Sequence, residues 1–176
     1  YSVFQSLVKA FVVLKRLLSM LSIRFWVVSH TLNSTPFLSS SVNILTNHAV
    51  NNKKIIVLGG GEQKRPNLHV ADMCRSYELL VDRELNDING EVFNVSYENK
   101  KIIELAEIVA KNVKSFFGYD NIEIEVKKET VDNRSYHVNS DKIKRVLDFS
   151  PKYNIDDAVI SLCHAFKDGK LPNSLT

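Results

Sequence analysis

Cysteine is scarce in this chain: Cys74 and Cys163 are the only two in 176 residues. They lie far apart and form no C-x-x-C, which excludes a zinc ribbon or a dithiol redox motif. They read instead as buried thiols of a reducing compartment, and the expected location is cytoplasmic. The five histidines have no metal-ligand spacing, so no metal site is expected. Excess charge is also lacking. A net charge of +3, with no basic block and no aromatic-interleaved basic patch, argues against nucleic acid. The apolar stretch from Phe11 to Val28 is interrupted by Lys15, Arg16 and Arg24, so no uncharged run is long enough to cross a membrane. The order of a secretory leader is not clear, and the chain reads as soluble. Glycine is rare, and none stands in the first 40 residues. That excludes from this segment the glycine fingerprint by which a βαβ unit holds a dinucleotide.

What the chain does have is one organising stretch, Lys53 to Asp72, KKIIVLGGGEQKRPNLHVAD. Ile55 to Leu58 is a short apolar run that predicts a buried strand. Gly59 to Gly61 then turn the chain into a polar loop carrying Gln63, Lys64 and Arg65. Pro66 stops a helix, Leu68 to Val70 reads as extended, and Asp72 is placed to cap the next helix. Against G-x-G-x-x-G, Gly59 and Gly61 fit but the third position is Lys64, and residues 66 to 70 have no helical period. The loop is better suited to offering Arg65 to an anion, because a guanidinium is always charged and binds phosphate oxygens in pairs. A surface turn with a solvated arginine is the alternative on this stretch alone.

The rest of the chain alternates helices and strands. Residues 3 to 21 are apolar at helical spacing and 24 to 29 read as a strand. A helix is expected over about 42 to 50, carrying Asn43 and Asn47, and another over 72 to 82 with Met73, Tyr77, Leu80 and Val81 inward. A strand follows over 91 to 95, where Asn94 reads as a backbone hydrogen-bonder. Next comes the most regular helix, 101 to 117, capped by Asn99 and closed by Gly118. Residues 121 to 127 alternate as a half-exposed strand. Short helices are expected over 141 to 147 and from Asn154 or Ile155 to Asp168. The class is α/β, with no repeats and no linker that would split the chain into independent domains.

Five segments in one order resemble the NAD-dependent sugar-nucleotide epimerase/dehydratase family, the extended short-chain dehydrogenases/reductases. They are Gly60 to Asp72 (G-G-x-x-Q-x-R-P-x-x-H-V-x-D), Gly90 to Val95 (GEVFNV), Ile102 to Val109, Asp132 to Tyr136 (DNRSY), and Asp141 to Pro151. The resemblance covers roughly residues 42 to 170 and implies the C-terminal portion of a Rossmann-like fold with its small substrate-binding domain. On that reading residues 1–40 are an aberrant remnant of the cofactor domain, and 41–176 are the portion that binds a nucleoside-diphosphate sugar. Arg65 and Arg134 are implied to contact the diphosphate and ribose, with Asn43 and Gln63 reaching the same pocket. His69 and Asp72 read as turn-fixing and capping residues. The helix of residues 3–21 is expected to pack as core or as the seam of a homodimer.

The complete family enzyme uses NAD and a tyrosine–lysine pair four residues apart on a helix, where the lysine lowers the tyrosine's pKa. Ser6 to Ala10 resembles the end of that helix, but the register puts Leu7 and Val3 where lysine and tyrosine belong. Tyr97 and Lys101 match Y-x-x-x-K only across a helix start, the wrong context. No catalytic residue is therefore assigned. The expectation is a truncated or decayed portion of an epimerase/dehydratase that binds no NAD by itself, binds sugar nucleotide at most weakly, and turns nothing over. The alternative is a degenerate relative that serves as an interaction or oligomerisation module.

Overall fold

The computed structural model describes residues 41–84, 88–128 and 134–171. The expected helix over 3–21, the strand over 24–29, the division at residue 40 and the dimer seam lie outside these residues. So do Asp132 and Asn133.

Helix α1 (Ser41–Asn52) buries Val42, Leu45, Thr46 and Ala49, which share one face at helical spacing. Thr46 is tolerated there because its hydroxyl donates to the Val42 carbonyl at 2.7 Å. Strand β1 (Lys54–Leu58) follows and pairs in parallel with β4 (Glu123–Lys127), placing Ile55 beside Ile124 and Val57 beside Val126. Helix α3 (Ile102–Phe117) and helix α5 (Ile155–Lys167) pack with α1 over this sheet. Their shared core contains Ile55, Val57, Leu105, Val109, Val159 and Cys163, all fully buried. A parallel pair needs a long crossover between its strands. Here the crossover carries the β2–β3 ribbon, and with it Arg65 of the candidate site.

That crossover opens with the glycine turn. Gly59, Gly60 and Gly61 all have positive φ, and a Cβ on Gly61 would lie 2.8 Å from Val57 Cγ1 and 3.0 Å from Ile103 Cβ. Gly61 is thus required by close packing of the turn on α3. Strand β2 (Lys64–Asn67) comes next and pairs antiparallel with β3 (Glu98–Lys101), with Arg65 opposite Lys100 and Pro66 opposite Asn99. Helix α2 (Val70–Val81) lies between them in sequence. A second core of Ile88, Phe93, Val95, Ile143, Leu147 and Phe149 seats the short helix α4 (Asp141–Leu147), with Leu79 and Leu80 of α2 packed against it.

Several local expectations are corrected. Helix α2 starts at Val70, so residues 68 to 70 are not all extended, and its cap is His69, whose Nδ1 accepts from Ala71 N at 3.1 Å. Asp72 sits in the first turn and is fully buried. Its carboxylate accepts from Lys152 N and Tyr153 N, each at 2.9 Å, and from Arg75 Nη1 at 2.5 Å. The innermost residues of α2 are therefore Asp72 and Ser76, while Met73 and Tyr77 are half-buried. Residues 91 to 95 form no strand: Phe93 and Val95 are buried, but the backbone has no ladder partner among the described residues. Asn99 does not cap α3. Lys101 is the cap, and its N–H donates to Glu104 Oε2 at 2.8 Å. Gly118, in the left-handed region, ends α3 as expected, and α5 starts at Ile155 as expected, with Asn154 capping it in a reciprocal pair with Asp157. Cys163 is buried as expected, whereas Cys74 is only half-buried.

Candidate anion site on the β2–β3 ribbon

Arg65 and Arg134 lie 69 residues apart in sequence, and the structure brings them together; Arg65 stands on strand β2 and not, as expected, on a loop. The outer edge of β2 explains how. Lys64 N donates to Ser135 Oγ at 2.9 Å, and Tyr136 N donates to Lys64 O at 3.1 Å. This lays residues 134 to 138 alongside β2. Asn99, reaching from β3, fixes the far end of the same segment: its Nδ2 donates to Val138 O at 3.1 Å and its Oδ1 accepts from Val138 N at 2.9 Å. A side-chain amide thus replaces a strand partner where Pro66 has no N–H to give.

Arg65 Nη1 donates to its neighbour's carbonyl, Lys64 O, at 3.0 Å and to Arg134 O at 2.5 Å. Its guanidinium lies 5.4 Å from the centroid of the Tyr136 ring, and that of Arg134 lies 6.0 Å from the same ring. One aromatic ring therefore holds two cations, each contact worth about 0.5–1 kcal/mol at an exposed position. Arg134 is exposed and Arg65 half-buried. Two planar guanidinium groups ordered on one ring, open to solvent, can bind one doubly charged anion through paired N–H···O bonds.

The other two residues named for this pocket are placed differently. Gln63 turns its amide to the glycine turn, where Nε2 donates to Leu58 O at 2.9 Å. Its Oε1 is buried without a hydrogen-bond partner among the described residues. Asn43 is half-buried in the first turn of α1. Tyr136 and Asn99 are the residues that sequence reasoning missed. The first stood inside the DNRSY element without a role, and the second was read as a helix cap.

The Tyr97–Lys101 spacing does not make a catalytic pair. Lys101 ends β3 and its Nζ is engaged by Glu62 at 2.6 Å, with the Glu62 carboxylate raising its pKa. Tyr97 precedes β3 and is nearly half exposed on a shallow cleft of about 400 Å³ that continues along His137 to Asp141. Residues four apart along an extended segment are separated by roughly 13 Å of backbone. No group of three or more metal-ligating side chains occurs among the described residues, and no described helix is long and apolar enough to cross a membrane.

The glycine turn does not fit a dinucleotide. Gly61 leads through Gln63 into β2 rather than into a helix, and the α3 N-terminus that packs on the turn is closed to a pyrophosphate: Ile102 N donates to Gln63 O at 3.1 Å, and Val57 and Ile103 fill the space beside Gly61.

The family description of GDP-mannose 4,6 dehydratase matches residues 6–162. The chain belongs to the sugar-nucleotide epimerase/dehydratase family. A dTDP-glucose 4,6-dehydratase of Streptomyces niveus is 26% identical over 130 residues, which is 73% of this chain and 37% of that protein. Among solved structures, dTDP-glucose 4,6-dehydratase from Bacillus anthracis in complex with NAD superposes with a TM-score of 0.59 at 21% identity, covering 84% of this chain and 43% of that one. UDP-glucuronic acid 4-epimerase from Bacillus cereus, in complex with UDP-glucuronic acid and NAD, gives 0.60 at 20% identity, covering 74% and 40%. The epimerase/dehydratase chain described here therefore spans about two-fifths of the length of these relatives, and its fold is theirs over that span.

Proposed function

We propose that this chain supplies the diphosphate- and sugar-recognition portion of an NAD-dependent epimerase/dehydratase acting on a nucleoside-diphosphate sugar. One observation carries the reading: Arg65 and Arg134 flank a single ring, Tyr136, at 5.4 and 6.0 Å. A diphosphate carries a charge of about −2 in a sugar nucleotide, which two guanidinium groups match, and each charge-assisted contact contributes roughly 1.5–3 kcal/mol. The shared fold with proteins solved with NAD and UDP-glucuronic acid supports the same ligand class.

In the complete family enzyme NAD supplies hydride removal and return. No step through NAD is assigned to residues 41–171, because their glycine turn does not fit it. Their role is to bind and orient: Arg65 and Arg134 hold the diphosphate, Tyr136 holds the arginines, and Asn99 holds the segment of Tyr136 through Val138. Asn43 is the candidate for the sugar; Gln63, tied to Leu58, is placed to set the shape of the turn beneath the ligand. The unpaired thiols Cys74 and Cys163 suit a reducing compartment such as the cytoplasm.

Calorimetric titration with UDP-, GDP-, CDP- and dTDP-sugars tests this reading. At least one is expected to bind the wild type, with affinity lowered about tenfold or more by Arg65→Ala and by Arg134→Ala. No binding at millimolar ligand would overturn the reading in favour of an interaction module.

A further inference from the structure

On the antiparallel β2–β3 ribbon two pairs of like charges stand directly opposite each other: Lys64 faces Lys101 and Arg65 faces Lys100. Directly opposed side chains have Cβ atoms about 4.5–5.5 Å apart, and like charges at that spacing are destabilising. The first pair is compensated, because Lys101 Nζ is bound by Glu62 at 2.6 Å. The second is not relieved from the lysine side. Among the described residues the Lys100 ammonium makes no hydrogen bond and no ion pair, although it is only half exposed. Glu98 shares its face of β3 but forms no ion pair with it. A lysine that opposes an arginine and has no described partner of its own is open to a ligand.

Direct pairing across the ribbon puts Lys100 on the same face as Arg65, whose guanidinium shares the Tyr136 ring with that of Arg134. Lys100 is therefore the cross-strand neighbour of one of the two arginines that match a diphosphate. We propose that Lys100 is a third cation of this site and selects nucleoside-diphosphate sugars whose sugar carries a carboxylate. The inference rests on the diphosphate reading above and adds a substrate class to it. An ammonium is a compact charge on a flexible stem, suited to reach a carboxylate displaced from the diphosphate.

UDP-glucose and UDP-glucuronate differ only in a hydroxymethyl group replaced by a carboxylate. Calorimetry of the full chain with both ligands, in wild type, Lys100→Gln and Arg65→Ala, tests the proposal. Wild type is expected to bind UDP-glucuronate at least about fivefold more tightly, a preference that Lys100→Gln removes and Lys100→Arg restores. Lys100→Gln should not lower the thermal midpoint, since no described partner is lost and a like-charge opposition is relieved. Equal affinity for the two ligands, or a preference that survives Lys100→Gln, overturns the third cation and leaves the diphosphate reading standing. If neither ligand binds wild type, the third cation falls, and the diphosphate reading falls with it only when GDP-, CDP- and dTDP-sugars also fail to bind; if Arg65→Ala leaves both affinities unchanged, both readings fall.

Discussion

The Arg65 guanidinium donates to the backbone carbonyl of Arg134 at 2.5 Å, tying strand β2 to a segment 69 residues further along the chain. The bond orders the Arg65 side chain and the backbone at Arg134 before any ligand arrives, so less rotamer entropy is lost on binding. Tyr136 is the platform on which this ordering depends. Replacing it with alanine is expected to weaken sugar-nucleotide affinity about five- to thirtyfold, corresponding to two cation–π contacts. Tyr136→Phe, which keeps the ring, should retain most of the affinity. Calorimetry on the two variants separates ring from hydroxyl.

Asp72 holds the ribbon's helix to the entry of α5. Its buried carboxylate accepts two backbone N–H groups, of Lys152 and Tyr153, and the Arg75 guanidinium. Asp72→Ala leaves these donors without their acceptor and should cost about 3–5 kcal/mol, read as a lower urea midpoint. Asp72→Asn keeps the shape and one acceptor, and should fall between.

Gly61→Ala should destabilise by about 2–4 kcal/mol, because its Cβ would meet Val57 at 2.8 Å in a left-handed backbone. Gly90 has a similar φ of 76° with nothing within 4 Å of the added carbon. Gly90→Ala should therefore cost only about 1 kcal/mol. Denaturant unfolding of both variants separates crowding from backbone strain.

Burial pushes the Cys163 thiol up to about 11 from 9.0. The folded state keeps the proton where the unfolded chain has begun to lose it. The stability associated with Cys163 is thus complete below pH 9 and falls as pH rises towards 11, by about 2–3 kcal/mol over that interval. Cys163→Ala should flatten that region of the pH profile. Cys74, half-buried, should react with a thiol reagent well before Cys163 in the native protein.

The elements of this fold legible in the sequence are those whose causes are local. Apolar spacing and Gly118 mark α3, Asn154 marks the start of α5, and the Ile55–Leu58 run marks β1. What was misread depends on partners far along the chain. Asn99 looks like a cap until Val138, 39 residues away, takes both ends of its amide. Asp72 looks like a cap until the backbone 80 residues on is folded against it. Residues 91 to 95 have the alternation of a strand, but a strand needs a neighbour and none is provided among the described residues. The arginine pair was legible as two motif positions; the ring between them was not, because Tyr136 acquires its role only when β2 aligns with residues 134 to 138.

Phosphorus-31 NMR of the tightest-binding sugar nucleotide tests the central claim most directly. If Arg65 and Arg134 together grip the diphosphate, wild type should shift both phosphorus resonances, and the Arg65→Ala/Arg134→Ala variant should leave them at their free positions. Bound ligand with unmoved phosphorus resonances, or a shift that persists in the double variant, would contradict it.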